Sequence, residues 1–196
     1  PGVFALGGGH GAAKQSYGPA LIDDDTPTPA HARFSRRHLA KILATGLGLW
    51  ALAMGLLVAV QGVDGTLTQM GWFFTKAALL TFGGAYAVLP YVYQGAVEHH
   101  QWLSGAQMID GLALGETTPG PLIMVVAFVG FVGGWLKQVL GPDALFLGGA
   151  LAAAVVTFFT FLPSFVFILA GGPAIEATHG KLGFTAPLSA ITAAVV

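Results

Sequence analysis

Apolar residues are grouped along the chain into long runs that are separated by short polar stretches. The first run, 39–60, holds one charged residue, Lys41, at its edge. A helix rises about 1.5 Å per residue, so a run of this length can cross a hydrocarbon core of roughly 30 Å. Further runs occupy residues 70–93, 108–136 and 144–170, and a fifth begins at residue 184. The pattern predicts an all-α membrane protein that is a polytopic helical bundle.

Two of these runs contain residues that break helices. Gly83 and Gly84 lie near the middle of the second run, and Thr117-Thr118-Pro119-Gly120-Pro121 interrupts the third. An unwound backbone in lipid persists only where protein or a wet cavity satisfies its polar groups. The interruptions therefore predict discontinuous or re-entrant segments, whose helix N-termini could bind an anion. The competing interpretation is simple kinks, since glycine and proline are tolerated in membrane helices.

The chain divides into two regions of different composition. Residues 1–38 are rich in glycine, proline and aspartate and lack hydrophobic periodicity, which predicts a polar linker. Residues 39–196 form the predicted transmembrane domain. The basic residues Arg33, Arg36 and Arg37 precede the first run and Lys41 lies at its edge, which places the linker in the cytoplasm by the positive-inside rule. The chain begins with proline and ends inside an apolar run, so we expect it to be a fragment truncated at its C-terminus.

The scarcity of charge excludes several classes of protein. Only 9% of the residues are charged, against roughly a quarter in soluble domains, and nine charged residues follow Lys41. The absence of cysteine excludes thiolate metal sites and cysteine nucleophiles, and the histidines show no metal-ligand spacing. The net charge is −1, without a basic patch suited to nucleic acid. We expect neither an enzyme, nor a metal or cofactor site, nor a nucleic-acid partner.

Two ionisable residues remain inside apolar runs. Lys76 lies two helical turns before Gly83, where a fixed cation could hold a small anion; alternatively its side chain could snorkel to the interface. Glu116 lies three residues before Pro119. A charged carboxylate is costly near the bilayer centre, so Glu116 could carry a proton, pair with Lys76, or act as a structural cap. Asp110 is expected to cap a helix near the interface, and His99 and His100 to be solvated loop residues.

Two stretches resemble signatures of the chromate ion transporter family. The first is FFTKAALLTFGGAYAVLP at residues 73–90, and the second is Trp102-Leu103 followed by DGLALGETTPGP at residues 110–121. The resemblance covers roughly residues 66–196. It implies a multi-pass protein of the bacterial inner membrane, in contact with the lipid bilayer, that expels chromate in exchange for protons, with sulfate as a chemical mimic.

The resemblance also implies an architecture and a set of site residues. Long members of the family contain two homologous halves in opposite orientation, and this chain resembles the second half of such an inverted repeat, without its N-terminal half. Glu116 would couple protons to transport. Eleven residues would bind and translocate the oxyanion: Lys76, Phe82, Gly83, Gly84, Tyr86, Pro90, Thr117, Thr118, Pro119, Gly120 and Pro121. Thr117 and Thr118 could donate hydroxyl hydrogen bonds to oxyanion oxygens.

Other functions stay open at this point. The cargo could be sulfate or another oxyanion, since chromate and sulfate are both tetrahedral dianions. The chain could also be a membrane half that transports nothing without its partner half. Ala51, Gly55 and Ala59 repeat every four residues, a small-residue stripe that suits close packing against another helix. The missing half and a second copy of the chain are candidate partners.

Overall fold

A computed structural model describes residues 35–80, 88–117 and 121–176 of the chain. These residues are helical apart from short connections, and no strand occurs among them. The protein is therefore an all-α membrane protein, as predicted. In chain order its helices are α1 (Arg36–Gln61), α2 (Thr66–Leu80), α3 (Val88–Tyr93), a π-helix (Gln94–His99), α4 (Gly105–Glu116), α5 (Pro121–Leu136), a 3₁₀ turn (Pro142–Ala144) and α6 (Leu145–Glu176).

Two of the described helices are long and apolar enough to cross a membrane. They are α1 and the Pro142–Pro173 stretch, which includes most of α6, and Met124–Leu136 of α5 is a shorter apolar segment. The first and fourth apolar runs of the sequence are confirmed as helices. α6 continues past the predicted end at residue 170 and accommodates Pro163 within it. The predicted fifth segment, from residue 184, lies outside the described residues.

α1 ends where glycine makes a turn possible. Gly62 adopts φ +76°, and its N–H donates to the Val58 carbonyl at 2.8 Å. The side chain of Gln61 then joins three segments, because it accepts a hydrogen bond from the N–H of Leu67 at 3.1 Å and donates one to the Val139 carbonyl at 3.2 Å. The end of α1, the start of α2 and the connection after α5 therefore lie on the same side of the bundle.

α5 and α6 form a tight hairpin through small residues. A Cβ atom built on Gly130 would lie 2.9 Å from the carbonyl oxygen of Ala152, and one built on Gly149 would lie 2.9 Å from that of Phe131. Gly134 likewise faces Gly148 and Ala152. The backbones of the two helices are thus in direct contact, the arrangement that small residues four apart permit in membranes.

α2 is the central helix of the bundle. Eight of its 15 residues are buried, and its side chains Met70 and Phe74 are fully enclosed. They pack against Trp102 and Val129, among others, in one apolar core. The outer faces of α1 and α6 are apolar and exposed, as at Leu52 (72% exposed) and Ile168 (68%), which is the surface that a lipid-facing helix requires.

The small-residue stripe of α1 lies on this outer face. Ala51, Gly55 and Ala59 are exposed, and Gly55 has no neighbouring atom within 4 Å of an added Cβ. α1 instead packs through the next face of the helix, where Gly46 contacts Val166. The stripe therefore does not pack against the described helices.

Candidate functional site

A hydrogen bond between α1 and α2 sets Lys76, an exposed residue of α2, level with the middle of α1. The indole N–H of Trp50 donates to the hydroxyl of Thr75 at 3.0 Å, and that hydroxyl donates to the Gly71 carbonyl at 2.7 Å. Trp50 lies eleven residues before the end of α1, which is roughly 16 Å of helix. Lys76 follows Thr75 directly and is itself roughly 15 Å along α2 from Thr66.

At this depth the ammonium group of Lys76 contacts an aromatic ring. Its Nζ lies 5.9 Å from the centroid of the Trp72 ring, one helical turn earlier on the same face. A cation over an indole face is stabilised by the ring quadrupole, and the stabilisation is larger where water is excluded. Trp72 therefore holds the lysine side chain close to α2.

Lys76 lines a polar cavity of about 360 Å³. Gln69, Trp72, Phe73 and Lys76 supply one wall, because positions 69, 72, 73 and 76 fall on a single face of α2. Opposite them lie Tyr91, Gln94, Gly95, His99 and His100. The cavity thus follows α2 from Gln69, one turn into the helix, down to Lys76, and its polar side chains include a cation, two amides, two imidazoles and a phenol.

The π-helix shapes the second wall of this cavity. The N–H of His100 donates to the Gly95 carbonyl at 2.9 Å, and that of Trp102 donates to Ala96 at 2.8 Å, spacings wider than the four residues of an α-helix. Gly95 lies directly against the ring of Phe73, where a Cβ atom would overlap it. The glycine therefore allows the π-helix to approach α2 closely enough to enclose the cavity.

His100 is held in place by aromatic rings. Its imidazole stacks on Trp102 with ring centroids 4.4 Å apart and an angle of 4°, and it meets His99 edge-on at 4.6 Å. Phe73 contacts it from α2 at 5.9 Å. The interpretation of His100 as a solvated loop residue is wrong, because it is half-buried. Packing against Trp102 removes it from water, although its position in the chain is a connection between helices.

The electrostatic surroundings of His100 are positive. Burial lowers the pKa of His100 below its ordinary value of 6.5, and the nearby charges of His99, Lys76 and Lys137 lower it further. The imidazole is therefore neutral at pH 7 and offers one N–H donor and one acceptor nitrogen. A group that neutralised the surrounding positive charge would remove the electrostatic part of this lowering, which is smaller than the part due to burial.

A second cavity, of about 460 Å³, adjoins Lys76 on the other side of Trp72. It is enclosed by α1, α2 and α6, and apolar side chains such as Leu43, Leu47 and Val166 dominate its walls. Trp72 and Lys76 line both cavities. The lysine thus stands at the boundary between a polar space toward the C-terminal end of α1 and an apolar space toward its basic N-terminal end.

The other residues predicted for the site are only partly described. Glu116 is the last residue of α4 and is exposed, and Thr117, which caps that helix, donates its hydroxyl to the Leu114 carbonyl at 2.9 Å. Among the described residues, the structure does not join Glu116 to Lys76 in an ion pair. Asp110 is exposed in the middle of α4, whose actual N-cap is Ser104.

Proline occurs near the start of two helices. Pro90 is the third residue of α3 and Pro121 the first of α5, positions where the missing N–H removes no bond within the helix. Seven further predicted residues lie outside the described ranges: Phe82, Gly83, Gly84, Tyr86, Thr118, Pro119 and Gly120.

The polar cavity contains residues that the sequence interpretation overlooked. Gln69 and Lys76 are seven residues apart and share a helix face, a signal visible in the sequence. Gln94, His99 and His100 gave no comparable signal, because only the π-helix and the stacking on Trp102 bring them to α2. Within the described ranges, no three His, Asp or Glu side chains are grouped closely enough to hold a metal ion.

Comparison with known proteins agrees with the two sequence signatures. A family profile described as Chromate transporter matches residues 68–196. The chain is 35% identical over 160 residues to a chromate transport protein of Cupriavidus metallidurans, covering 74% of this chain and 36% of that protein. It is 36% identical over 159 residues to a chromate transport protein of Pseudomonas aeruginosa, covering 80% of this chain and 34% of that one.

The chain spans about a third of the length of these two relatives. A probable chromate transport protein of Synechococcus elongatus is 30% identical over 115 residues, covering 59% of this chain and 25% of that protein. No solved structure matches the chain. Because the profile covers well over half of the sequence, including both signatures, the chain belongs to the chromate transporter family.

Proposed function

We propose that this chain is part of a secondary transporter that moves chromate out of the bacterial cytoplasm across the inner membrane and so confers chromate resistance. The observation that carries the proposal is the position of Lys76. Lys76 lies level with the middle of α1, which is long and apolar enough to cross a membrane, and intramembrane cations usually mark ion pathways. Lys76 also adjoins cavities on both sides, which suits a residue that passes an anion between them.

The chemistry of the polar cavity suits a small tetrahedral dianion. Lys76 supplies a positive charge, and the amides of Gln69 and Gln94 supply N–H donors that could bind oxyanion oxygens. The family signatures support chromate as the cargo, with sulfate as the alternative. In this proposal the motif residues outside the described ranges, together with Pro90, Thr117 and Pro121, complete the translocation path.

Proton exchange is assigned to Glu116 in this proposal. The residue ends α4 within the second signature, at the edge of the predicted interruption. Export of chromate against its gradient requires an energy source. A carboxyl group that binds a proton on one side of the membrane and releases it on the other would allow proton entry to drive that export. Glu116→Gln should abolish chromate movement driven by a pH gradient, whereas Asp110→Gln, on the same helix, should retain it. Undiminished pH-driven flux in Glu116→Gln would remove Glu116 from this role.

The central experiment measures chromate uptake into inverted membrane vesicles that contain the protein. Lys76→Gln should abolish uptake, because the amide cannot neutralise a dianion at mid-depth. Lys41→Gln is the matched control, since Lys41 is an exposed lysine near the start of α1, outside both cavities. Transport by Lys76→Gln at the wild-type rate would contradict the proposal. Competition by sulfate in the same vesicles distinguishes a chromate-selective site from a general oxyanion site.

A second candidate function is a membrane half that needs a partner. The exposed stripe of Ala51, Gly55 and Ala59 favours it, because a small-residue surface suits a helix of another half or of a second copy. Vesicles that contain the chain alone would then fail to move chromate, and co-expression of the N-terminal half would restore movement. Replacement of Gly55 by leucine should prevent that restoration, since the side chain would hold the partner helix away.

A further inference from the structure

The histidine pair in the polar cavity has no role in the proposed transport mechanism. His99 and His100 line the same cavity as Lys76, together with Gln69 and Gln94. The pair is adjacent to the cavity's only cation among the described lining residues, and no lining residue there is acidic. A cavity with one fixed positive charge and no acidic lining residue is suited to an anion, and a dianion would leave one negative charge uncompensated.

We propose that His100, supported by His99, is a proton-linked anion ligand that binds a proton when a tetrahedral dianion enters this cavity. The inference rests on the proposed oxyanion transport and adds a ligand to it. Before the anion arrives, His100 is neutral. The negative charge of the dianion offsets the positive charges near His100, namely Lys76 on α2 and Lys137 after α5, and its attraction for the imidazolium opposes the effect of burial; the neighbouring His99 of the π-helix acts on His100 in the same direction as these lysines.

Geometry supports the assignment independently of titration. Stacking on Trp102 and contact with Phe73 fix the plane of the His100 ring, and the residue lines the cavity that contains Lys76. The π-helix, a form found frequently at functional sites, brings Gln94 and His99 to the same wall. The remaining polar group on that wall is the phenol of Tyr91, which can donate a hydrogen bond.

The sign of the coupling between proton binding and anion binding at His100 distinguishes it from proton–anion exchange. At His100 the proton and the anion favour each other, so binding of the anion takes up a proton. In antiport the two must exclude each other, so the exchanged proton is not the one on His100. This leaves proton exchange with a different group, which is Glu116 in the proposed mechanism, while His100 makes anion affinity depend on the pH at the mouth of the cavity.

The test measures proton uptake when chromate binds to the purified protein in detergent. In weakly buffered solution at about pH 7.5, where chromate is largely deprotonated and neutral histidine can still accept a proton, an indicator dye should report alkalinisation on chromate addition. His100→Gln should bind chromate without this proton uptake. His38→Gln is the matched control, because His38 is an exposed histidine near the start of α1, and it should behave as the wild type.

The affinity for chromate supplies a second measurement. Relative to the wild type, the Kd of His100→Gln should be raised about tenfold at about pH 6 and less than twofold at about pH 8, because only the protonated imidazole adds a charge-assisted hydrogen bond. Chromate itself binds a proton in acid, so the ratio of the two proteins at each pH is the quantity compared.

The outcomes are distinct. Binding of chromate by the wild type without proton uptake, or with proton release, would overturn the inference and leave the oxyanion function intact. Proton uptake that persists in His100→Gln would overturn it as well. Absence of chromate binding by the wild type would instead overturn the proposed function. The wild-type measurement needs no variant, so the inference can be refuted even if His100→Gln fails to fold.

Discussion

The indole N–H of Trp50 and the hydroxyl of Thr75 are joined by a hydrogen bond of 3.0 Å that crosses from α1 to α2. Thr75 is buried, and its hydroxyl also donates to the Gly71 carbonyl, so its donor and acceptor capacities are both used. The bond fixes the height of α2 relative to α1. Because Lys76 is the next residue, it also fixes the depth of the only cation on α2.

Loss of this bond should loosen the α1–α2 contact. Thr75→Val keeps the shape of the side chain but leaves the Trp50 N–H without its partner, and we expect it to lower stability by about 1 kcal/mol. Unfolding in detergent, followed by tryptophan fluorescence, measures the loss. Thr75→Ser is the matched control and should recover most of the stability, since it keeps the hydroxyl. Equal stability of Thr75→Val and wild type would show that the bond contributes nothing.

The contact of Lys76 with Trp72 should matter for transport more than for folding. Trp72 is 51% exposed, so its removal costs little packing, but the ammonium loses an attraction of about 0.5–1 kcal/mol. Trp72→Leu should therefore reduce the rate of chromate movement several-fold, and Trp72→Phe should retain an intermediate rate. Trp135→Leu, at an exposed tryptophan outside both cavities, is the control. A wild-type rate in Trp72→Leu would show that the ring does not position Lys76.

Gly95 should tolerate no side chain. In Gly95→Ala the added methyl would overlap the ring of Phe73, so the π-helix or α2 must move, at a cost of about 1–3 kcal/mol. Chromate binding should weaken together with stability, because the displaced segment forms a cavity wall. Gly48→Ala, on α1 where no atom lies within 4 Å of the added Cβ, should be neutral or slightly stabilising. Similar stabilities for the two variants would contradict the close approach.

Acidification should destabilise the protein through His100. Its pKa is lowered in the folded state and returns to about 6.5 on unfolding, so unfolding takes up a proton. The contribution to stability is complete above about pH 6.5 and is lost as the pH falls toward the lowered pKa. We expect the Tm to fall between about pH 7 and about pH 5, and to fall less in His100→Gln. An identical pH dependence in that variant would contradict the environment described for His100.

The parts of the fold that were predicted correctly depend on composition alone. Length and apolarity identify α1 and α6, because a membrane span needs about 20 apolar residues in succession. The same pattern identifies Lys76 as a candidate site residue, because a charged residue inside such an apolar run is rare. These signals are local in the sequence, so they predict helices and a candidate residue without any knowledge of how the helices pack.

The polar cavity could not be predicted in the same way. Gln69 and Gln94 line the same cavity because α2 and the π-helix pack against each other, and the π-helix shifts the register of residues 94–99. His100 is shielded from water by stacking on Trp102, a contact that the spacing of residues in the sequence does not predict. Tertiary packing therefore determines which polar residues line the cavity, and the sequence interpretation of His100 was wrong for that reason, whereas His99 is exposed as expected.

The contact between α5 and α6 determines which parts of the molecule can move. Helices that slide past each other usually do so on a layer of flexible side chains, and at Gly130, Gly134 and Gly149 no such layer exists. The hairpin must therefore behave as one rigid body. In the transport mechanism proposed above, the movement that exposes Lys76 to one side of the membrane and then the other would therefore occur between α2 and this hairpin, and not within the hairpin.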